Sequence, residues 1–196
     1  MMLTLKRTTP LLKHAKSVFT SRPISSGTNI ITESNISAPW QTARPWHNEE
    51  SQQSNLAVDN TNTMTSLFQS KKVAVFGVPA PFTGVCTNAH VPGYKALADE
   101  FLDKGGCDAL ICYAVTDPYT HYNWAEGMGV DQSKITFLAD VDGSWAKEFG
   151  LDRDYAAVSL GVRSERFSMV VEDGIVKSFN VVEDAVKDAE VLLSQL

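Results

Sequence analysis

Cysteine is scarce in this sequence, and its spacing excludes several classes of protein. The 196 residues contain three cysteines and no Cys-x-x-Cys pair, which excludes the even disulfide framework of a small secreted domain. Histidines are equally few, and none of the four has the spacing of a zinc motif with a cysteine or a carboxylate. We therefore expect no metal site, and we expect reactive thiol chemistry in a reducing compartment.

Long apolar runs and excess positive charge are also missing. No apolar run approaches the roughly 20 residues that a membrane-spanning helix needs, and the formal net charge is −6. The basic residues are concentrated at the N-terminus, so the remainder is more acidic than the total suggests. This distribution excludes a broad surface for nucleic acid or for an anionic membrane, and we expect neither as a partner.

The N-terminal residues 1–37 have the composition of a targeting segment. No acidic residue precedes Glu33, and apolar residues repeat at helical spacing among the basic residues Lys6, Arg7, Lys13, Lys16 and Arg22. An acid-poor, Ser/Thr-rich amphipathic leader is typical of an organelle transit peptide. Because the segment Arg22-Pro23-Ile24-Ser25-Ser26 resembles a mitochondrial processing site, we predict import into the mitochondrial matrix with cleavage near Ile24. A plastid address, a disordered basic tail, and a cytoplasmic product that starts at Met64 are the alternatives.

Residues 38–63 differ from both the leader and the rest of the chain. They are rich in Ser, Asn, Gln, Thr and Pro and show little apolar periodicity, which predicts a disordered linker. Trp40 and Trp46 are the large aromatic residues of this stretch, and the sequence assigns them no role. We predict that residues 64–196 form one folded domain.

Strand and helix patterns alternate through this domain. Apolar, β-branched runs predict strands at 73–78, 109–115, 135–138, 166–171 and 175–181. Helical composition, with glycine at several ends, predicts helices at 94–104, 119–128, 144–149 and 183–196. Asp173-Gly174 predicts a hairpin between the last two strands. The order indicates an α/β sandwich with a mixed central sheet flanked by helices, as in a thioredoxin-like core.

Cys86 lies at a strand-to-helix junction, after the predicted strand at 73–78. At such a junction, backbone N–H groups and the positive end of a helix favour a thiolate over a thiol. The thiolate is the nucleophilic form, since a free cysteine is mostly protonated at neutral pH. Thr83 lies three residues earlier and adds a hydroxyl that both donates and accepts hydrogen bonds. The stretch from Pro79 to Pro92 is therefore a candidate site for nucleophilic chemistry.

The residues around Cys86 resemble those of one known family. The pattern Pro-x-x-x-Thr-x-x-Cys is satisfied by Pro79, Thr83 and Cys86. Here the sequence resembles the peroxiredoxins, and in particular their peroxiredoxin-5-like (type II) subfamily. Further matches lie in the segments 75–79, 90–94, 115–118, 138–140 and 161–167. The resemblance extends over residues 66–196, nearly the whole predicted domain.

This resemblance implies a thiol-dependent peroxidase that reduces hydrogen peroxide and alkyl hydroperoxides without a metal or an organic cofactor. Cys86 would attack the peroxide and become a sulfenic acid, which Pro79 would shield from further oxidation. Thr83 and Arg163 would align and polarise the peroxide. The resemblance also implies recycling by thioredoxin or glutaredoxin, and a homodimer.

The resolving cysteine and the choice of arginine stay open at this point. Plant-like members of the subfamily carry a resolving cysteine where this chain has Cys112, which would form a disulfide with Cys86. Because Cys112 is predicted inside a central strand, that disulfide would need local unfolding. Cys107 and an external thiol are the alternatives. Arg166 is the rival of Arg163 for the guanidinium.

His90 and Trp124 are not predicted to take part in the chemistry, and two other functions are alternatives to a peroxidase. We expect a structural hydrogen-bonding role for His90 and core or interface packing for Trp124. A redox-sensing or binding module on the same scaffold is the alternative function. A thiol–disulfide oxidoreductase would need a Cys-x-x-Cys pair, whereas Cys86 is followed by Thr-Asn-Ala.

Overall fold

The computed structural model describes residues 22–34, 40–46 and 60–196. The strands in these ranges are β1 Trp40–Thr42, β2 Thr61–Asn62, β3 Lys72–Gly77, β4 Ala109–Val115, β5 Ile135–Asp140, β6 Asp152–Asp154, β7 Val162–Ser164, β8 Phe167–Glu172 and β9 Ile175–Val181. Seven of them form a mixed sheet in the order β2-β1-β5-β4-β3-β8-β9, and β6 pairs with β7. Strands β3, β4 and β5 are parallel, whereas β8 runs antiparallel to β3.

Helices cover both faces of the central sheet. The long helix α2 begins with a π-helical turn, Cys86–His90, continues as an α-helix, Val91–Asp99, and ends with a second π-helical turn, Glu100–Lys104. The other α-helices are α1 Met64–Phe68, α3 Pro118–Gly127, α4 Ser144–Glu148 and α5 Asp188–Leu193. A short 3-10 helix covers Ala156–Val158.

The alternation of side chains along β3 divides the core into two layers. Ala74 and Phe76 join the buried cluster that contains α2, α3 and α5. Val73 and Val75 join the cluster on the opposite face, with α1 and α4. A strand that is buried on both faces has a nearly continuous apolar sequence, which is why this stretch was readily predicted.

The predicted thioredoxin-like sandwich is confirmed, together with its central strands and its hairpin. The hairpin turns at Asp173 and Gly174, whose φ angles of 46° and 77° both lie in the left-handed region that a tight turn of this kind requires. The last helix is shorter than predicted and starts at Asp188. The residues before it form a turn, in which the Asp184 carboxylate accepts the Val186 N–H at 3.0 Å.

The structure corrects the predicted linker at both of its described ends. Trp40–Thr42 is a strand that pairs antiparallel with β5, and Thr61–Asn62 pairs with it on the other side. Trp40 is fully buried and lies against Trp145, with 4.8 Å between ring centroids. Burial of one large aromatic side chain thus holds a strand whose neighbours are polar. Residues 38–39 and 47–59 of the predicted linker lie outside the described residues.

Part of the predicted leader also belongs to the folded body. Ile24 and Ile30 are buried in the second core cluster. The N–H of Ile30 bonds to the Gly174 carbonyl at 2.9 Å, and Gly27 bonds to Val176 at 2.8 Å. Residues 1–21 and 35–37 of the leader lie outside the described residues. No helix in the described ranges is long and apolar enough to cross a membrane.

Candidate active site

Cys86 lies in the first turn of α2 with its side chain only 1% exposed. Its sulfur accepts a hydrogen bond from the Arg166 guanidinium, with Nη2 to Sγ at 3.4 Å. A guanidinium in contact with the sulfur favours the thiolate, because it stabilises the anion and not the thiol. Pro79, at the start of the loop that leads to Cys86, is buried as well.

The helix begins earlier than the sequence predicts, at Cys86 rather than at Tyr94. The first turn is wide: the N–H of Val91 bonds to the Cys86 carbonyl, five residues back. Pro92 follows and has no N–H to donate to the turn before it. A π-helical turn accommodates this break without ending the helix, and such turns are frequent at functional sites.

Thr83 lies three residues before Cys86, and both its backbone and its side chain form hydrogen bonds there. Its carbonyl accepts the N–H of Thr87 at 2.9 Å, which closes the first turn around Cys86. Its hydroxyl donates to the Ala80 carbonyl at 2.8 Å. Because that bond uses the hydroxyl proton, the Thr83 oxygen keeps acceptor capacity for a ligand proton.

The register of two strands explains how Arg166 reaches Cys86. Phe167 is paired with Gly77 at the ends of β8 and β3. The Phe167 ring lies so close to Gly77 that a Cβ there would be 2.1 Å from it, so this ring fills one face of the sheet. Neighbouring side chains alternate between faces. Arg166 and Ser168 therefore lie on the opposite face, where α2 carries Cys86.

Arg163, the arginine that the sequence predicts for the site, has other contacts in the structure. Its Nε donates to the Leu160 carbonyl at 2.8 Å, and its Nη1 donates to the Val115 carbonyl at the end of β4. These bonds tie the β7 strand to the parallel part of the sheet. The guanidinium that contacts the Cys86 sulfur belongs to Arg166.

Behind Arg166 lies a chain of buried polar side chains. Arg166 Nη1 is 2.8 Å from His90 Nδ1, and His90 Nε2 is 2.8 Å from Asp188 Oδ2. The same carboxylate accepts hydrogen bonds from the Tyr94 hydroxyl at 2.5 Å and from the Ser168 hydroxyl at 2.7 Å. Burial lowers the pKa of His90; Asp188 offsets part of this effect, and the Arg166 charge adds to it. His90 is therefore neutral at pH 7.

Cys112 lies in β4, fully buried in the same core cluster as Cys86. Its sulfur is 3.7 Å from His121 Nε2. Burial raises the pKa of the Cys112 thiol well above its ordinary value, and the nearby Cys86 sulfur adds to the rise. Burial lowers the pKa of His121 to about 3. Cys107 is buried too, and burial raises the pKa of its thiol; all three cysteines are free thiols.

An open cavity of about 360 Å³ lies next to the cysteine site. One of its walls is Arg166, which contacts the Cys86 sulfur. The other lining residues are Pro79, Arg153, Tyr155, Glu165, Val181 and Val182. Arg153 and Glu165 form an ion pair with each other. In the part of the chain that the structure describes, no group of three or more His, Cys, Asp or Glu side chains is arranged to hold a metal ion.

Comparison with known proteins connects this geometry to a family. The redoxin family model matches residues 39–193. The chain is 42% identical over 178 residues to mitochondrial peroxiredoxin-2F of Arabidopsis thaliana, which covers 88% of this chain and 84% of that protein. This chain belongs to the peroxiredoxin family. Mitochondrial peroxiredoxin-2F of Oryza sativa subsp. japonica is 39% identical, over 88% of this peroxiredoxin and 85% of the relative.

Solved peroxiredoxins share the fold. Reduced Prx3 in complex with H2O2 from Vibrio vulnificus is 30% identical, with a TM-score of 0.69 over 88% of this chain and 99% of the other. Peroxiredoxin 5 from Alvinella pompejana is 25% identical, with a TM-score of 0.69 over the same shares. This peroxiredoxin is a thiol peroxidase on a thioredoxin-like fold.

Two buried polar residues of this peroxiredoxin, Asp188 and His121, were not among the predicted site residues. Asp188 shares the buried face of α5 with Ala189 and Leu192. A carboxylate at such a position is unusual enough to signal a buried partner. His121 lies three residues before Trp124 on α3, and that spacing places both on one buried face.

Proposed function

We propose that this peroxiredoxin reduces hydrogen peroxide and alkyl hydroperoxides at Cys86. The thiolate attacks one peroxide oxygen, the oxygen–oxygen bond breaks, and the other oxygen takes up a proton and leaves as water or an alcohol. Cys86 is left as a sulfenic acid. The observation that carries the proposal is the contact of 3.4 Å between the Arg166 guanidinium and the Cys86 sulfur, beside an open cavity.

Three further side chains have proposed roles in this step. Arg166, in place of Arg163, stabilises the thiolate and the negative charge that develops on the peroxide. The Thr83 oxygen accepts a hydrogen bond from the peroxide and orients the oxygen–oxygen bond towards the sulfur. Pro79 shields the sulfenic acid on the side of the cavity, and its burial next to the cavity supports this role.

The test of this step is the reaction of the reduced protein with hydrogen peroxide in a stopped-flow instrument. The wild-type protein is expected to react at least 1,000-fold faster than free cysteine, since guanidinium stabilisation and orientation each contribute factors of about 100 or more. The Cys86→Ser variant should show no fast phase, and Cys107→Ser should keep the wild-type rate. A wild-type rate equal to that of free cysteine would favour the redox-sensing or binding module.

We propose that Cys112 resolves the sulfenic acid. Its thiolate attacks the Cys86 sulfur, a disulfide forms, and the hydroxyl leaves with a proton as water. Both side chains lie in one buried cluster, which supports the pairing, and both must become accessible before the Cα atoms approach to about 7 Å or less. Thioredoxin or glutaredoxin would then reduce the disulfide through a mixed disulfide.

Intact mass spectrometry after one equivalent of peroxide tests the resolving thiol. The wild-type protein and Cys107→Ser are expected to lose about 2 Da as the disulfide forms, because two thiol protons are removed. Cys112→Ser is expected to gain about 16 Da instead, as a trapped sulfenic acid, or more on further oxidation. The opposite result for the two variants would assign the role to Cys107, and mass gain in both would require an external thiol.

We propose that the chain is imported into the mitochondrial matrix and cleaved close to Ile24. The names of the peroxiredoxin-2F relatives support the compartment. The burial of Ile24 and Ile30 supports a cleavage site that spares both, since removal of residues 1–37 would expose the core they cover. A reporter fused to residues 1–40 should enter mitochondria, and the N-terminal sequence of the mature protein should begin within residues 22–24. A diffuse cytosolic signal would contradict the import.

We further propose that two copies associate into a homodimer through the surface around the cysteine loop. Phe82 and Val85 support this surface, because both apolar side chains are more than half exposed next to Cys86. Sedimentation of the reduced protein should show a dimer that Phe82→Asp weakens. A monomer at micromolar concentration would contradict the proposal.

A further inference from the structure

Asp188 is a buried carboxylate outside the motif that surrounds Cys86. It is the first residue of α5, only 3% exposed, and it lies under the first turns of α2. Its two oxygens accept hydrogen bonds from the Tyr94 and Ser168 hydroxyls and contact His90. A buried carboxylate without such partners is strongly destabilising, so these contacts fix its position closely.

The direction of each hydrogen bond follows from the arginine. A guanidinium can only donate, so the Nδ1 atom of His90 must be the acceptor from Arg166 Nη1. The neutral imidazole then carries its proton on Nε2 and donates it to the Asp188 carboxylate. A protonated His90 would instead point an N–H at the guanidinium, which the geometry excludes. Asp188 therefore selects the one tautomer that accepts a bond from Arg166.

The contacts from Asp188 to His90 to Arg166 also determine where the guanidinium points. With Nη1 held by His90 at 2.8 Å, the planar group aims Nη2 at the Cys86 sulfur, at 3.4 Å. An arginine side chain has several rotatable bonds, and a partner that fixes one nitrogen orients the other. The order of contacts is thus carboxylate, imidazole, guanidinium, sulfur.

We propose that Asp188 is a positioning residue for peroxide reduction, which acts through His90 to hold Arg166 against Cys86. The inference rests on the proposed function of Cys86 and adds to it a residue 102 positions away along the chain. Asp188 touches neither the sulfur nor the cavity. Its role is to keep the guanidinium in the position where it stabilises the thiolate and the developing charge on the peroxide.

A double-mutant cycle separates this role from a purely structural one. The rate constant of Cys86 with hydrogen peroxide is measured for Asp188→Ala and Asp188→Asn, each with Arg166 present and with Arg166→Gln. Asp188→Ala should lower the rate at least tenfold when Arg166 is present, because small displacements of a positioning group have large effects on rate. With Arg166→Gln the same change should alter the rate less than twofold.

Asp188→Asn covers the case in which the alanine variant does not fold. Its amide can still accept from His90 and donate to Ser168, so we expect a three- to tenfold loss that again disappears with Arg166→Gln. Glu190→Ala is the matched control, since it removes a carboxylate from the exposed face of the same helix and should keep the wild-type rate. Equal losses in both arginine backgrounds, or no loss in either, would overturn the proposal.

A readout independent of activity distinguishes failure of this inference from failure of the proposed function. Side-chain nitrogen NMR at pH 7 should show His90 with its proton on Nε2 in the wild-type protein. In Asp188→Ala this single tautomer should be lost. A wild-type spectrum with the proton on Nδ1 would overturn the inference even if the enzyme were active.

Discussion

Two cysteines in the same core cluster each belong to a group of side chains that contains a buried histidine, and the two groups differ in their charges. The Cys86 sulfur is met by Arg166, which His90 supports from behind. The Cys112 sulfur is met directly by the His121 ring, at 3.7 Å, inside an aromatic layer. Neither cysteine side chain is appreciably exposed. Exposure therefore does not distinguish the two sites.

What distinguishes them is the presence of a permanent charge. Burial raises the pKa of the Cys112 thiol and lowers the pKa of His121 to about 3, so both groups stay neutral in the folded chain. A neutral thiol beside a neutral imidazole is a poor nucleophile, because proton transfer between them would create two buried charges. At Cys86 the guanidinium is already charged. In the proposed reaction, the cation in contact with Cys86 prepares this buried thiol for attack, whereas Cys112 must first be released.

The largest expected effect separates the two arginines. Arg166→Gln should slow the reaction of Cys86 with peroxide by about 100-fold or more, as for loss of one donor to a developing anion. Arg163→Gln should change that rate less than threefold, and should lower the free energy of unfolding by about 1–2 kcal/mol through loss of its backbone contacts. Stopped-flow kinetics and urea unfolding measure the two effects. A slower reaction in Arg163→Gln than in Arg166→Gln would reverse the assignment.

The next largest effect concerns the stability of the folded chain in acid, because Cys112 and His121 are buried as neutral groups. The pKa of His121 is about 3 in the folded chain and about 6.5 unfolded, so protonation favours the unfolded chain. As far as His121 is concerned, the free energy of unfolding has its full value above pH 6.5 and decreases as the pH falls towards 3. Through this group, a change from pH 7 to pH 5 should lower the free energy of unfolding by about 2 kcal/mol.

His121→Met tests this expectation, since methionine fills the space without titrating. Urea unfolding at pH 7 and at pH 5 should show a smaller decline in the variant than in the wild-type protein, by about 2 kcal/mol. Between pH 7 and pH 8, where histidine is neutral in both states, the two proteins should decline in parallel. Equal declines below pH 7 would show that His121 is not held neutral.

The smallest effect concerns the link between the two cysteine sites. Trp124 stacks near the His121 ring and donates from Nε1 to the Thr87 hydroxyl at 3.0 Å, next to Cys86. Thr87→Val and Trp124→Phe both remove this bond, and a double-mutant cycle should give a coupling of about 1 kcal/mol in unfolding free energy. Peroxide rates should stay within threefold of wild type. A coupling near zero would mean that the bond joins the two sites without stabilising them.

The alternation of side chains along β8 can be read from the sequence, but by itself it does not settle the choice of arginine. Phe167, Met169 and Val171 lie on one face of β8, while Arg166 and Ser168 lie on the other. Knowing which face carries α2 requires the pairing of β8 with β3, and that pairing joins residues about 90 positions apart. The family pattern alone contains both arginines within four residues and does not separate them.

Local sequence determined the candidate nucleophile Cys86, the strand before it and the hairpin at Asp173, because each depends on neighbours a few positions away. The strand at Trp40 escaped prediction since its stability comes from burial against α4 and not from its polar neighbours. Asp188 and His121 escaped for a similar reason, as their partners lie on other elements. Only the tertiary structure decided that a charged guanidinium contacts Cys86 and that Cys112 is buried as a neutral thiol. Both outcomes depend on burial and on contacts between residues far apart in the sequence, which set the free-energy cost of each charge.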